Sequence, residues 1–288
     1  MTAPAAATPA LGTPGGVPAA AHHVGFGHLL LAEWTKIRSV RSSVWSLLLF
    51  VVLTVGFTAG LTAITVATWD SGRRGGGGGG GHAAIVADPV SFILGAGVGI
   101  GQLTICVLGV LIISSEYSSG VIRASLLAVP RRIPVLAAKA VVFAALILVL
   151  AEIVAFGSFF VGSVLLHSRV PVALSDPGVT RAVIGTGLYL TVLGEFALAI
   201  GALVRHTAGA ITGVIGFVLV LTPLAQLLPD SWGQHVYYYL PTKAGSLISS
   251  TRQQSGQLLS PWQGFGVFCF WTALLLAAAS FLLRRRDA

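Results

Sequence analysis

Charge is scarce in this 288-residue chain: Asp, Glu, Lys and Arg make up 9% of it, while 55% of its residues are hydrophobic. An ordinary soluble domain carries about 25% charged residues. The mean hydropathy of +0.89 confirms the imbalance. A water-soluble globule of this length must show a mostly polar surface, and too little charge is present to make one. The apolar excess asks for lipid, which excludes a soluble enzyme and a chain that is disordered throughout. Cysteine is scarce too. Cys106 and Cys269 have no CxxC or His/Cys ligand spacing, which excludes a disulfide-rich module and reads as small buried hydrophobes rather than metal or redox ligands.

Catalytic motifs are also missing. A phosphate-binding Walker A loop needs Lys followed by Ser or Thr, but Lys36, Lys139 and Lys243 precede Ile37, Ala140 and Ala244. No zinc-protease HExxH or nucleophile-elbow GxSxG pattern occurs, and no segment between the apolar runs is long enough for a catalytic domain. The reading is a chain that is not an enzyme, with no catalytic residue, metal site or cofactor of its own. Any ATP used is hydrolysed on another polypeptide. The formal charge of +8 does not indicate nucleic acid, because the basic residues punctuate apolar segments instead of forming one patch.

What is present is a set of long apolar runs. Crossing about 30 Å of hydrocarbon takes about 20 helical residues, and a backbone in lipid must satisfy its own hydrogen bonds. The sequence therefore predicts an all-α integral membrane protein with six transmembrane helices, at about 44–68, 92–113, 135–166, 182–204, 208–228 and 262–283, forming one transmembrane domain over 44–283. Residues 1–27 hold no Lys or Arg and are rich in Ala, Pro and Gly, which argues against a signal peptide and predicts a disordered cytoplasmic tail. Residues 284–288 form a short basic tail. The glycine run from Gly75 to Gly81 reads as a loop tip. Glycines such as Gly95, Gly97, Gly99 and Gly101, or Gly209, Gly213 and Gly216, read as sites of close helix approach.

Lys and Arg set the orientation. With the N-terminus inside, eleven basic residues (Lys36, Arg38, Arg41, Arg123, Arg131, Arg132, Lys139, Arg205 and Arg284 to Arg286) fall in the cytoplasm. Six (Arg73, Arg74, Arg169, Arg181, Lys243 and Arg252) fall outside. Both termini are thus expected in the cytoplasm of a multi-pass plasma-membrane protein.

Before the first span, residues 28–43 read as an amphipathic interface helix. Leu30, Trp34, Ile37, Val40 and Val44 recur at helical spacing, with Thr35, Lys36, Arg38 and Ser39 mostly opposite; Arg41 lies near the apolar stripe and must snorkel. The alternative is a basic flank that only sets topology. Between the second and third spans, Ser115 is expected to cap a short helix beginning at Glu116 and stopped by Pro130, a helical knuckle suited to docking a partner. Glu152 and Glu195 fall near the middle of the third and fourth spans, where a charge costs at least about 2.5 kcal/mol. Each lines a path or subunit interface, or is a neutral, hydrogen-bonded carboxyl that stabilises helix packing.

The stretch from Glu116-Tyr117-Ser-Ser-Gly120 to Pro130-Arg131-Arg132 resembles the first cytoplasmic loop of type-2 ABC exporter permeases, especially actinobacterial ones. Glu33-Trp-Thr-Lys-Ile-Arg38, Leu203-Val-Arg-His-Thr-Ala-Gly209 and Tyr239-Leu-Pro241 are similar to elements of the same family, in the same order around six spans. The resemblance runs from about Leu30 to the end. It implies a permease subunit of an ABC exporter in a bacterial plasma membrane, moving an unidentified substrate and paired with a second permease subunit and separate ATPase subunits. The ATPase-docking residues would be Glu116, Tyr117, Gly120, Arg123, Arg131 and Arg132, with the interface helix contributing Trp34, Lys36, Arg38 and Arg41. It also implies short re-entrant helices between Pro229 and Pro261. The competing reading from residues alone is a proton-coupled secondary transporter using Glu152 and Glu195.

Overall fold

The computed structural model describes residues 25–39, 41–70, 79–118, 132–228, 230–253 and 256–285, and among these all regular structure is helical. Residues 1–24 of the tail expected over 1–27, Gly75 to Gly78, the residues Gly120, Arg123 and Arg131, and the last three residues lie outside them, as do the side chains of Arg41, Arg132 and Arg285, whereas Phe26 and Gly27 of that expected tail are helical.

In chain order the elements are α1 (Phe26–Ser39), α2 (Arg41–Ala67), α3 (Gly79–Ala87), α4 (Pro89–Ser118), α5 (Arg132–Leu166), α6 (Val179–Val204) and α7 (Thr207–Gly216). A π-helical turn (Phe217–Leu221), α8 (Thr222–Ala225), α9 (Asp230–Tyr239), α10 (Pro241–Ser246), a 3-10 turn (Leu247–Ser249) and α11 (Pro261–Arg285) follow. Six stretches are long and apolar enough to cross a membrane: α2, α4, α5, α6, the run from α7 to α8, and α11. The chain is an all-α, multi-pass membrane protein.

Several boundaries differ from expectation. The interface helix was expected over 28–43, but α1 ends at Ser39 and Arg41 to Ser43 form the first turn of α2. The second spanning helix runs on through Ser115 to Ser118. Ser115 therefore lies inside α4 rather than ahead of a new helix, and Glu116 and Tyr117 occupy the last turns of α4. Helical hydrogen bonding, once begun, continues until something interrupts it, and the polar residues 114–118 include neither Gly nor Pro. The fifth span stops at Ala225 rather than 228. Its π-helical turn contains Leu219, the carbonyl that Pro223, lacking an N–H, cannot serve. The glycine run is partly helical, since α3 begins at Gly79.

Helix α6 is the hub. In its most apolar window 72% of residues are buried, against 22% in α2, in α7 to α8 and in α11. Without a hydrophobic drive between helices in lipid, close packing needs small residues, and α6 supplies them on several sides. Its Gly185 receives Ile248, Gly187 receives Glu152, Gly194 receives Ile105 and Phe143, and Gly201 receives Ile113 and Val110. In return α4 offers Gly109 to the backbone of α6, and Gly97 and Gly101 to Thr54 and Thr58 of α2. Those threonines spend their hydroxyls on their own helix, Thr54 Oγ1 donating to the Phe50 carbonyl at 2.7 Å and Thr58 Oγ1 to the Thr54 carbonyl at 3.0 Å. The other glycines expected at close approaches divide: Gly209 faces its cap His206 and Val204 at the end of α6, and Gly95, Gly99, Gly213 and Gly216 border open space.

The connection before α11 folds back against the spans. Gly245 of α10 lies against the Phe268 ring, which is seven residues, or about 10 Å of helix rise, into α11. Short helices thus occupy the segment where the resemblance implied them. Arg181 Nη2 donates to the carbonyls of Ser250 at 2.8 Å and Thr251 at 3.1 Å, while Thr251 Oγ1 donates to Asp88 Oδ1 at 2.7 Å. Asp88 also caps α4, accepting the Ser91 N–H at 3.0 Å ahead of Pro89 in the first helical position.

A Cβ at position 109 would fall 2.5 Å from the Gly194 carbonyl oxygen and 2.9 Å from the Ala197 Cβ, whereas one at 99 meets nothing within 4 Å. Gly109→Val is expected to lower the stability of the purified protein by about 1–3 kcal/mol, and Gly99→Ala to leave it unchanged or slightly raised. Thermal unfolding in one detergent measures both.

Candidate functional site

Helix α1, the end of α4 and the start of α5 meet at one end of the bundle, and there the structure places four charges in contact. Lys139 lies two turns into α5 within an apolar run, its side chain 5% exposed. An ammonium there must find anions or leave the helix for water. Its Nζ is 2.6 Å from Glu33 Oε2 of α1 and 2.8 Å from Glu116 Oε1 of α4. Lys36, one turn beyond Glu33, closes the group from the rim, with its Nζ 2.6 Å from Glu33 Oε1 and 3.2 Å from Glu116 Oε1. Two carboxylates and two ammoniums cancel, so the cluster is neutral as a whole and joins three helices.

A second contact extends it. Tyr117, beside Glu116, has the Arg205 guanidinium 5.3 Å from its ring centre, within the range of a cation–π attraction. Arg205 ends α6 in the left-handed conformation, with φ of 58°, and its N–H closes on the Gly201 carbonyl. His206 then caps α7, its Nδ1 accepting the Gly209 N–H at 3.1 Å. The tight turn between the fourth and fifth spans is thereby attached to the same helix end.

Helix α1 faces the bundle with Glu33 and Ile37, both buried. Leu31 and Trp34 point away, 65% and 42% exposed. Of the stripe read from the sequence, Ile37 packs on the bundle, Leu30 is half-buried and Trp34 is exposed, while Lys36 is drawn into the cluster instead of standing opposite. Arg38 is exposed and makes no contact with the cluster. Of the expected docking residues, Glu116 and Tyr117 are brought together with Lys36, and Glu116 is occupied within the chain. Glu33 and Lys139 were not singled out as site residues. The signal for them was a lone Lys inside an apolar run with few acids on its side to meet it.

Glu152 and Glu195 are placed elsewhere. The Glu152 carboxyl of α5 sits over Gly187, where a Cβ would fall 2.5 Å from its carboxyl carbon. Glu195 is 8% exposed. Glu152 Oε2 and Glu195 Oε1 are buried with no hydrogen-bond partner, so the expectation of hydrogen-bonded packing carboxyls is not met at those two atoms. Cys106 is buried, Cys269 is half-buried, both are free thiols, and among the described residues no three potential metal ligands gather.

No protein-family model matches the chain, and no curated protein matches it. The residues define its class: a six-span helical membrane protein with a charged joint at one end and two unpartnered acids inside.

The joint has a definite pH range. Burial alone would raise the Glu33 carboxyl, but Lys139 and Lys36 outweigh it and hold it below 4.5. Burial alone would lower the Lys36 amine, but Glu33 and Glu116 outweigh that and hold it above 10.5. Glu33 therefore stabilises fully above its unfolded value and loses that effect as pH falls through its depressed folded value. Lys36 stabilises fully below its unfolded value and loses the effect as pH rises through its elevated one. The separation between spin labels on α1 and at the start of α5 is expected to be constant from pH 4.5 to 10.5. Glu33→Gln or Lys139→Met should each release α1 at pH 7, at a cost of about 3 kcal/mol, and the two effects together should be less than additive.

Proposed function

We propose that the chain is the permease subunit of an ATP-binding cassette exporter in a bacterial plasma membrane, both termini cytoplasmic, assembled with a second permease subunit and with partner subunits that hydrolyse ATP. The chain itself makes and breaks no bonds. The observation that supports this most is the charged joint. Residues 119–131, the loop that resembles an ATPase-docking element, join α4 to α5, and both helices are clamped to α1 by Glu33, Lys36, Glu116 and Lys139. A push delivered to that loop reaches α1, α4 and α5 as one body, and through Tyr117 and Arg205 the turn between α6 and α7. Substrate and ATP drive a cycle only if they stabilise different conformations.

Arg123 is the better probe of docking, because Glu116 also serves the joint. Arg123→Glu is expected to abolish co-purification of the ATPase subunit and transport while leaving membrane insertion and the α1–α5 separation intact. Unchanged ATPase co-purification and transport would refute the docking role.

The second reading, proton-coupled secondary transport, is favoured by the unpartnered oxygens of Glu152 and Glu195. It requires transport that stops when the proton gradient is collapsed and continues when ATP is depleted; export driven by ATP requires the reverse.

A further inference from the structure

The end of the bundle opposite the charged joint holds an ammonium in a different setting. Lys243 is in α10, whose next two residues, Ala244 and Gly245, lie against Gly264 and Phe268 of α11. Those contacts are about 5 and 10 Å of helix rise inside the start of that span at Pro261. The residue before Lys243, Thr242, meets Thr222 of the fifth span with 2.6 Å between their hydroxyls. The backbone of Lys243 therefore lies within the depth of the spans, and its half-buried side chain must reach towards the headgroups. Its Nζ is 5.1 Å from the centre of the Tyr237 ring and 6.0 Å from that of Tyr238. The Tyr237 hydroxyl accepts from Gln226 Nε2 at 2.7 Å, just past the end of the fifth span at Ala225. The ammonium thus stands where the hydrocarbon meets the phosphate layer.

An ammonium donates hydrogen bonds and accepts none. Unlike Lys36 and Lys139, Lys243 forms no ion pair among the described residues. The acids at this end are engaged elsewhere: Asp70 with Arg169, Asp88 with Ser91 and Thr251, and Asp176 with the Ala173 N–H. The two tyrosine rings attract the cation, but a neutral ring does not cancel its charge. Because the Tyr237 oxygen accepts from Gln226, its own proton is left to donate. Lys243 and Tyr237 are therefore donors that meet no acceptor among the described residues. Apolar surface borders them, with Leu227 78% and Trp232 55% exposed. A soluble anion gains nothing from that surface, whereas a phospholipid covers it with its chains and brings a charged acceptor to the donors.

We propose that Lys243 and Tyr237 bind the phosphate of an anionic phospholipid from the leaflet at this end of the bundle, with Leu227 and Trp232 against its chains. The lipid supplies the counter-charge that Glu33 and Glu116 supply to Lys139 at the other end. The site needs neither an ATPase nor transport, so it stands or falls apart from the function proposed above.

The full chain, purified in detergent, is titrated with phosphatidylglycerol, and the lipid retained per chain is counted by native mass spectrometry. The wild type is expected to retain one more phosphatidylglycerol than Lys243→Gln, whose affinity at that site should fall by about tenfold or more, the worth of a hydrogen bond to a charged group. Tyr237→Phe, which keeps the ring and removes the donor, should weaken retention measurably and serves if Lys243→Gln does not fold. Diacylglycerol with the same chains, which lacks the phosphate, should not displace the retained lipid, and neither should millimolar inorganic phosphate. Retention unchanged in the variants that fold, or displacement by diacylglycerol, would overturn the proposal. Displacement by inorganic phosphate would overturn it too, by making the ligand a soluble anion.

Discussion

A buried ammonium with no anion beside it is not a stable feature of a membrane helix, and the architecture of this protein's basic end follows from satisfying one. Lys139 is enclosed in α5 and touches Glu33 and Glu116 at 2.6 and 2.8 Å. Those distances fix how α1 lies across the bundle and how the end of α4 meets the start of α5. Lys36 supplies the second positive charge, without which two acids would face a single ammonium. Removing either acid or either amine leaves an excess charge in a confined space, so the four act as a unit.

The same neutrality governs what the protein presents outward. Glu33 and Glu116 are both consumed by the joint, leaving Arg38, Arg205 and Arg284, among the residues whose side chains are described, as basic groups outside it. The outward residues of α1 are Leu31, Trp34 and Arg38, a combination suited to a headgroup layer. At the other end the connections are held differently, by Arg181 on backbone carbonyls and Thr251 on Asp88. Between the ends, α6 packs through glycines against the helices around it, and the buried polar groups there are mainly hydroxyls, such as those of Thr54, Thr58, Thr186 and Thr191, with the two carboxyls of Glu152 and Glu195.

The six spans were legible because apolar length is a property of composition, read without knowing any contact. The ends of helices were less so. The sequence of α4 contains a plausible cap at Ser115, but nothing there breaks the helix, and continuation prevailed. The side of α1 that packs on the bundle was not legible for a related reason: hydrophobic periodicity identifies an apolar side, whereas the packed side is set by Glu33 and Ile37, one charged and one apolar. Lys139 was visible as an anomaly inside the run from Val135 to Phe143 and was read only as a topological flank. Asking where its counter-charge comes from leads to Glu33 and Glu116. Glu152 and Glu195 were identified by the same logic applied to acids, but their facing walls depend on which helices pack on α6, which spacing alone does not supply.

The most direct test of the joint is a charge exchange read by distance. Spin labels on the outer face of α1 and near the start of α5 report their separation by pulsed electron resonance in the wild type, in Glu33→Lys, in Lys139→Glu and in the double exchange. A single narrow distance in the wild type, broad and longer distances in each single reversal, and return of the narrow distance in the double exchange are expected if the pair holds α1 in place. Narrow, unchanged distances in both single reversals would contradict the central role given to these charges.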